Sequence, residues 1–220
     1  MPDFDHRSDE LELLDDPSVP ADLLSRNLDE LDRINRRLGG HRVTLRGLAA
    51  IVPPGTKHLH VADLGCGGGD TLRAVADWGR RRGISLRLTG VDLNPDVVDY
   101  ARRHCADYPE ITVVRADYRD FLGQHPDVDV LHTALFCHHL PDDAVVELLG
   151  WMHRAARVGF VINDLHRHPL AYHSIRLLTR ALGGSPLVRN DAPLSVLRAF
   201  RADEWHRLLR RAGVPTYRLR

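Results

Sequence analysis

The stretch Val61-Ala62-Asp63-Leu64-Gly65-Cys66-Gly67-Gly68-Gly69-Asp70 decides how the chain folds. A short apolar run ends in a turn rich in glycine, and an acid then opens a helical stretch, Asp70 to Arg82. Glycines between a strand and a helix let the backbone bend sharply and leave it bare to a ligand. Outward from this turn the alternation repeats. Apolar strands are predicted at His58 to Leu64, Ser85 to Val91, Ile111 to Val114, Val128 to Thr133 and Val158 to Asn163, with helices opened by Asn94-Pro95 and after Pro141. Strands alternating with helices imply right-handed crossovers and a parallel sheet covered on both faces, a doubly wound α/β fold. Such sheets bind ligands at the carboxyl ends of their strands.

Both flanks depart from the alternation. Leu24, Leu28, Leu31, Ile34 and Leu38 recur at helical spacing from Ala21 to Leu38, and a second helix from Arg42 to Ile51 stops at Pro53-Pro54. Residues 1–55 therefore read as an N-terminal helical cap and 56–220 as the main domain. Within the latter, about 166–200 reads as a lid-like insertion: a helix from Ala171 to Leu182, then a loop containing Gly183-Gly184, Pro186, Asn190-Asp191 and Pro193. A helix from Asp203 to Ala212, with Gly213 as its stop, leads to a last strand from Pro215 to the end.

Basic and acidic residues balance at 30 each, so no global field argues for nucleic acid or a membrane surface as partner. The ends are unbalanced. Residues 1–30 carry ten acids against Arg7 and Arg26, whereas 166–220 carry eleven arginines against Asp191, Asp203 and Glu204. Solvated helix faces, or pairing of the two ends, account for this more simply than a basic lip for an anionic substrate. Cys66, Cys105 and Cys137 are widely spaced and odd in number, which fits a reducing cytoplasm. Neither a signal-peptide pattern nor a long apolar run is present, so a cytoplasmic location is expected.

The neighbours of the glycines discriminate between ligands. A dinucleotide site needs a third glycine where this chain, counted from Gly65, has Asp70, whose charge would repel a pyrophosphate. Asp63 adds a second negative charge, which suits a cationic ligand instead. Asp63-Leu64-Gly65-Cys66-Gly67-Gly68-Gly69 resembles the first motif of class I S-adenosylmethionine-dependent methyltransferases, in the ubiquinone-type and related small-molecule branch. The resemblance covers about residues 56–165. It implies that Gly65, Cys66, Gly67 and Gly69 pass under the methionine part of the cofactor, and that Asp63 organises the turn and the cofactor's amino group. Asp92 is implied to grip both ribose hydroxyls, with Leu93 packed on the adenine. Ala116-Asp117-Tyr118 resembles the motif that reads the adenine edge, and Thr133 with Ala134 closes the cofactor site at the fourth strand.

In this family the carboxyl end of the fourth strand faces the transferred methyl group. There the chain reads Cys137-His138-His139-Leu140, similar to the HHL of small-molecule methyltransferases, which makes His138 and His139 the catalytic candidates. A neutral imidazole accepts a phenolic proton near pH 7. Helix capping or cofactor-pocket lining is the structural alternative for both, and more so for His139. No paired zinc ligands are evident, and the acid a magnesium site needs is replaced by Thr133 and Ala134, so no metal is expected. His138, Asn163, Asp164, Arg167, His173 and Arg176 are the substrate-binding candidates, the arginines suited to an acidic or phenolic acceptor.

The expected activity is methyl transfer to a small molecule, a phenolic or quinol oxygen of a secondary metabolite or polyketide. Ring C-methylation, a non-catalytic S-adenosylmethionine-binding protein and a NAD-dependent reductase are the alternatives. The family usually ends in a hairpin of sixth and seventh strands, but only a few residues follow Gly213. Either the seventh strand is missing or a second copy covers the open edge as a homodimer.

Overall fold

The computed structural model describes residues 2–16, 18–124, 127–181 and 183–219. Helices α1 (Ala21–Leu38) and α2 (Gly40–Ile51) precede the alternating region. This region runs β1 (His58–Leu64), α3 (Asp70–Arg82), β2 (Ser85–Asp92), α4 (Pro95–His104), β3 (Ile111–Arg115), α5 (Tyr118–Gln124), β4 (Val130–Ala134), α6 (Asp142–Ala155) and β5 (Gly159–Asn163). Three helices complete the described chain: α7 (Pro169–Ala181), α8 (Pro186–Arg198) and α9 (Ala202–Arg211).

The five strands are all parallel, in the order β3-β2-β1-β4-β5. Winding proceeds one way from β1 to β3 and the other way from β4 to β5. The reversal opens a crevice between the carboxyl ends of β1 and β4, which are paired through Asp63 and His132. Two apolar cores flank the sheet. One gathers Leu131, Leu148, Met152 and Phe200 under α6 and α9, the other Leu59, Leu72, Val75 and Leu88 under α3.

Two elements correct the sequence reading. The loop expected around Pro186 and Pro193 is the helix α8. Ser185 caps it by accepting the Val188 N–H at 3.3 Å, Pro186 occupies its first turn, and Pro193 lies inside it. Leu187, Val188, Leu194, Val196 and Asp191 are all buried, so tertiary packing outweighs the helix-breaking signals. The last strand from Pro215 is absent among the described residues, where 214–219 carry no regular structure. The expected end points Leu182 and Arg220 lie outside the described residues.

Helix α2 contributes to the main core, whereas Leu24 and Leu28 of α1 form a separate cluster with Val97 and Tyr100 of α4. Leu48 of α2 is fully buried with Leu59 and Val61, and a Cβ on Gly47 would stand 2.6 Å from Val161 Cγ1 on β5. Helices α7 and α8 pack side by side and meet α1 through α8. Leu48→Ala is expected to cost about 2–5 kcal/mol. Chemical denaturation should remain one transition, and a second, separate transition would show the cap to be an independent unit.

Candidate functional site

The glycine turn rises from the crevice, and three of its glycines line the cavity, two of them in a backbone conformation that favours glycine. Gly65 and Gly67 have φ of 69° and 51°, in the region that side chains rarely adopt. A Cβ on Gly65 would collide with the Phe136 ring, whereas nothing lies within 4 Å of one on Gly67. Gly65, Cys66, Gly67 and Gly68 line the cavity. Gly69, expected there too, does not: a Cβ on it would lie 2.8 Å from Cys105 Sγ, just past the end of α4. Burial pushes the Cys66 thiol well above its ordinary pKa, helped by Asp92 and Asp63, so this cysteine is an inert wall.

Each acid near the turn has a partner. Asp63 is buried on β1 and its Oδ1 lies 2.7 Å from His132 Nδ1 on β4. His132 Nε2 continues to Thr44 Oγ1 at 3.2 Å, and Asn163 Nδ2 donates to Thr44 at 3.1 Å. Asn163, expected to touch substrate, thus anchors α2 to β5, though it also borders the cavity. Asp70 accepts from Asn35 at 3.1 Å and pairs with His41 at 2.7 Å. Burial opposes its charge, but these two partners hold its pKa below the usual carboxylate value. Asp92 accepts the Gly67 N–H at 3.1 Å and the Asn94 N–H at 3.0 Å, which ties β2 to the turn. Burial raises its pKa despite these bonds.

Beside Asp92, the Ala116 N–H donates to its carbonyl at 3.0 Å, bringing Ala116, Asp117 and Tyr118 to the same wall. Leu93 stands exposed at the rim. The buried Tyr118 hydroxyl has no hydrogen-bond partner among the described residues. At β4, Ala134 reaches the wall while Thr133 is buried beneath it.

Across the crevice, β4 is followed by Leu135, whose φ of 52° is the positive value among the described non-glycine residues. This turn and a 3₁₀ segment, Cys137–His139, present His138 and His139 to the cavity. His138 is buried and its Nδ1 lies 2.6 Å from Asp164 Oδ1. Two N–H groups, of His138 and Leu165, also donate to Asp164. Burial works against its charge, yet His138 and these donors hold its pKa down. His139 Nδ1 lies 3.2 Å from Asp15. Burial would depress its pKa, but Asp15 and Glu12 prevail and raise it.

Sequence reasoning missed Glu12, which reaches into this end buried at 4% exposure. Ser195 donates to its Oε1 at 2.8 Å, and Asp191 accepts the N–H groups of Leu13 and Leu14 at 2.9 and 3.0 Å. The opposite imbalance of the two ends was the available signal. Three expected substrate contacts lie elsewhere. Arg167 is buried behind the site, donating to the Phe4 and Asp5 carbonyls and pairing with Glu204 at 2.6 Å. His173 packs against Phe4 and Tyr172, and neither it nor Arg176 lines the cavity. From α7 the wall instead takes Ala171, Ser174, Ile175 and Leu178.

Residues 61–159 match a family model described as a methyltransferase domain. Residues 61–159 thus carry a methyltransferase domain. It is 31% identical over 174 residues to the acetylserotonin O-methyltransferase of Rattus norvegicus, an alignment covering 73% of this chain and 35% of that protein. The chain thus spans about a third of the length of the curated relative it matches. Among solved structures, the plantazolicin methyltransferase BpumL in complex with SAH superposes with a TM-score of 0.61 at 18% identity, covering 87% of this chain and 69% of that one. The citrinin polyketide synthase CMeT domain gives 0.53 at 16% identity, covering 77% and 44%. At these identities the structural likeness is one of fold.

The residues present fit the methyltransferase cofactor. The open main chain over Gly67, the buried Asp92 carboxylate and the unpartnered Tyr118 hydroxyl offer acceptors and a donor to a nucleoside, while Asp63 and Asp92 suit a positive charge. Asp92→Asn should weaken S-adenosylhomocysteine binding about 10- to 100-fold in calorimetry, the worth of a hydrogen bond to a charged group. Unchanged affinity would separate Asp92 from the cofactor.

Proposed function

We propose that this chain transfers the methyl group of S-adenosylmethionine to a phenolic or quinol-like oxygen of a small, largely apolar acceptor. The observation that carries this reading is one continuous cavity of about 1380 Å³ that runs from the glycine turn to the imidazole and carboxylate cluster at Glu12, His138 and His139. Ligand pockets commonly span roughly 300–1,000 Å³, so this volume accommodates a nucleoside and an acceptor together. Leu28, Leu31 and Ile34 of α1, Ile175 and Leu178 of α7, and Val196 of α8 wall the space beyond the turn.

When bound, S-adenosylmethionine supplies a methyl on a positively charged sulfur, which keeps the C–S electron pair as the methyl leaves. The chain's own residues do the rest. Asp92 and Asp117 hold the nucleoside, and the apolar roof of α1, α7 and α8 excludes water and aligns the acceptor. The acceptor oxygen gives up its proton at the cluster containing His138, whose Nδ1 is occupied by Asp164. Carboxylates dominate this end. The lining arginine, Arg119, is at the rim and already pairs with Asp117 and Glu147, so the cavity favours an uncharged acceptor over a carboxylate.

Incubation with methyl-labelled S-adenosylmethionine and a panel of planar phenols should label a neutral phenol at least tenfold faster than its carboxylate analogue. His138→Asn should lower kcat about 100-fold or more and leave S-adenosylhomocysteine affinity unchanged. Cofactor binding without turnover on any acceptor would identify a non-catalytic binding protein instead.

A further inference from the structure

We propose that Glu12, His138 and His139 form a binding site for one divalent cation of the zinc class, open toward the acceptor end of the cavity. The ligand atoms of these three residues all lie within 4.8 Å of one another. His138 Nε2 stands 3.6 Å from Glu12 Oε1, and His139 Nε2 stands 3.9 Å from Glu12 Oε2. Both separations are too long for hydrogen bonds. They approach the roughly 3.3 Å between neighbouring ligands of a tetrahedral ion whose bonds are about 2.0–2.1 Å long.

The groups behind the cluster set the chemistry of its front. Asp164 takes the Nδ1 side of His138 at 2.6 Å, and Asp15 takes that of His139 at 3.2 Å. In its neutral form each imidazole, with its proton on Nδ1, turns its Nε2 lone pair toward Glu12, and a bound cation takes the place that a proton on Nε2 otherwise fills. Without a positive charge between them, these three atoms repel. Carboxylates on the far nitrogen are also the usual means by which metal-ligating imidazoles are oriented and made more basic.

Charge points the same way. Among the described residues, Glu12, Asp15 and Asp164 face a single nearby guanidinium, Arg198, at 3.9 Å from Glu12 and 3.6 Å from Asp15. The neighbouring Arg7 is engaged by Asp142 at 2.7 Å. With neutral imidazoles the cluster keeps two negative charges in a buried setting, which a divalent cation cancels. Ser195 holds Glu12 in place at 2.8 Å. Two imidazoles and one carboxylate favour zinc or ferrous ion over magnesium or calcium. All three residues line the cavity, so a ligand position remains open to an incoming hydroxyl. In a role that rests on the proposed methyl transfer, the cation increases that hydroxyl's acidity, and with both His138 nitrogens engaged the proton leaves to solvent.

The test uses the full untagged chain, stripped with a chelator, dialysed, and titrated with Zn²⁺ in a calorimeter and with Co²⁺ by visible absorption. One saturable site with the absorption of four- or five-coordinate Co²⁺ is expected. Glu12→Gln and His139→Ala should abolish it, and Asp15→Asn should weaken it about tenfold as a supporting carboxylate. His139 is partly exposed, and thermal melts of each variant establish that the fold survives. No saturable binding, or equal affinity in Glu12→Gln and His139→Ala, overturns the site. S-adenosylhomocysteine binding is measured on the same stripped protein, so loss of the cation site and loss of the methyltransferase reading are told apart.

Discussion

A carboxylate taken out of water must find a partner, and this requirement organises the whole site. Removing one member of a buried charged pair typically costs about 3–5 kcal/mol. The crevice nevertheless concentrates acids. Asp63 meets His132, Asp70 meets His41 and Asn35, Asp92 meets two backbone N–H groups, and Asp164 meets His138. On the roof, Asp191 receives the N–H groups of Leu13 and Leu14. Nearly every pairing joins segments far apart in the chain, so the bonds that satisfy the acids also hold the cavity walls together.

The result is an enclosure whose electrostatics are set by its construction. Helix α2 is tied to the sheet by the run from Asp63 through His132 and Thr44 to Asn163. The first residues of the chain are pinned from behind by arginines: Arg167 reaches the Phe4 and Asp5 carbonyls, and Arg198 the Glu10 carbonyl. Those guanidinium groups are spent on structure, which leaves the cavity face acidic. An acidic, partly closed space favours a sulfonium nucleoside and disfavours an anionic acceptor.

What was legible in the sequence follows from range. The turn at 65–68 follows β1, Asp92 ends β2 and Asp117 follows β3, so local pattern alone places them at the carboxyl edge of the sheet, where they line the cavity. Glu12 and Asp15 act across more than 120 residues, on His139, and in an acidic leading segment they look like solvated charge. Arg167 erred in the opposite sense. A basic cluster after the fifth strand suggested a substrate grip, but sequence does not distinguish a guanidinium that faces a ligand from one that faces backbone carbonyls. Gly183-Gly184 and Pro193 signal a loop in the α8 segment, whereas burial of Leu187, Val188 and most residues from Asp191 to Arg198 makes a helix the way to satisfy its backbone.

The two halves of the cavity differ in how they are built, and this difference bears on what each can vary. The nucleoside half consists of strand ends and the turns that follow them, joined by backbone hydrogen bonds such as Ala116 N–H to Asp92, so its shape comes with the sheet itself. The acceptor half is assembled from the leading segment, α1, α7 and α8, none of which belongs to the sheet. Between them stands Leu135, held in a left-handed conformation that costs roughly 1–3 kcal/mol and persists only where surroundings impose it. Its N–H donates to the Asn163 carbonyl at 2.9 Å, so β5 holds the bend that turns Phe136 over Gly65 and aims His138 into the cavity. Substitutions on the roof can therefore reshape that end of the cavity while the glycine turn and the imidazole stay in register, because a fold does not fix what its loops and added helices enclose.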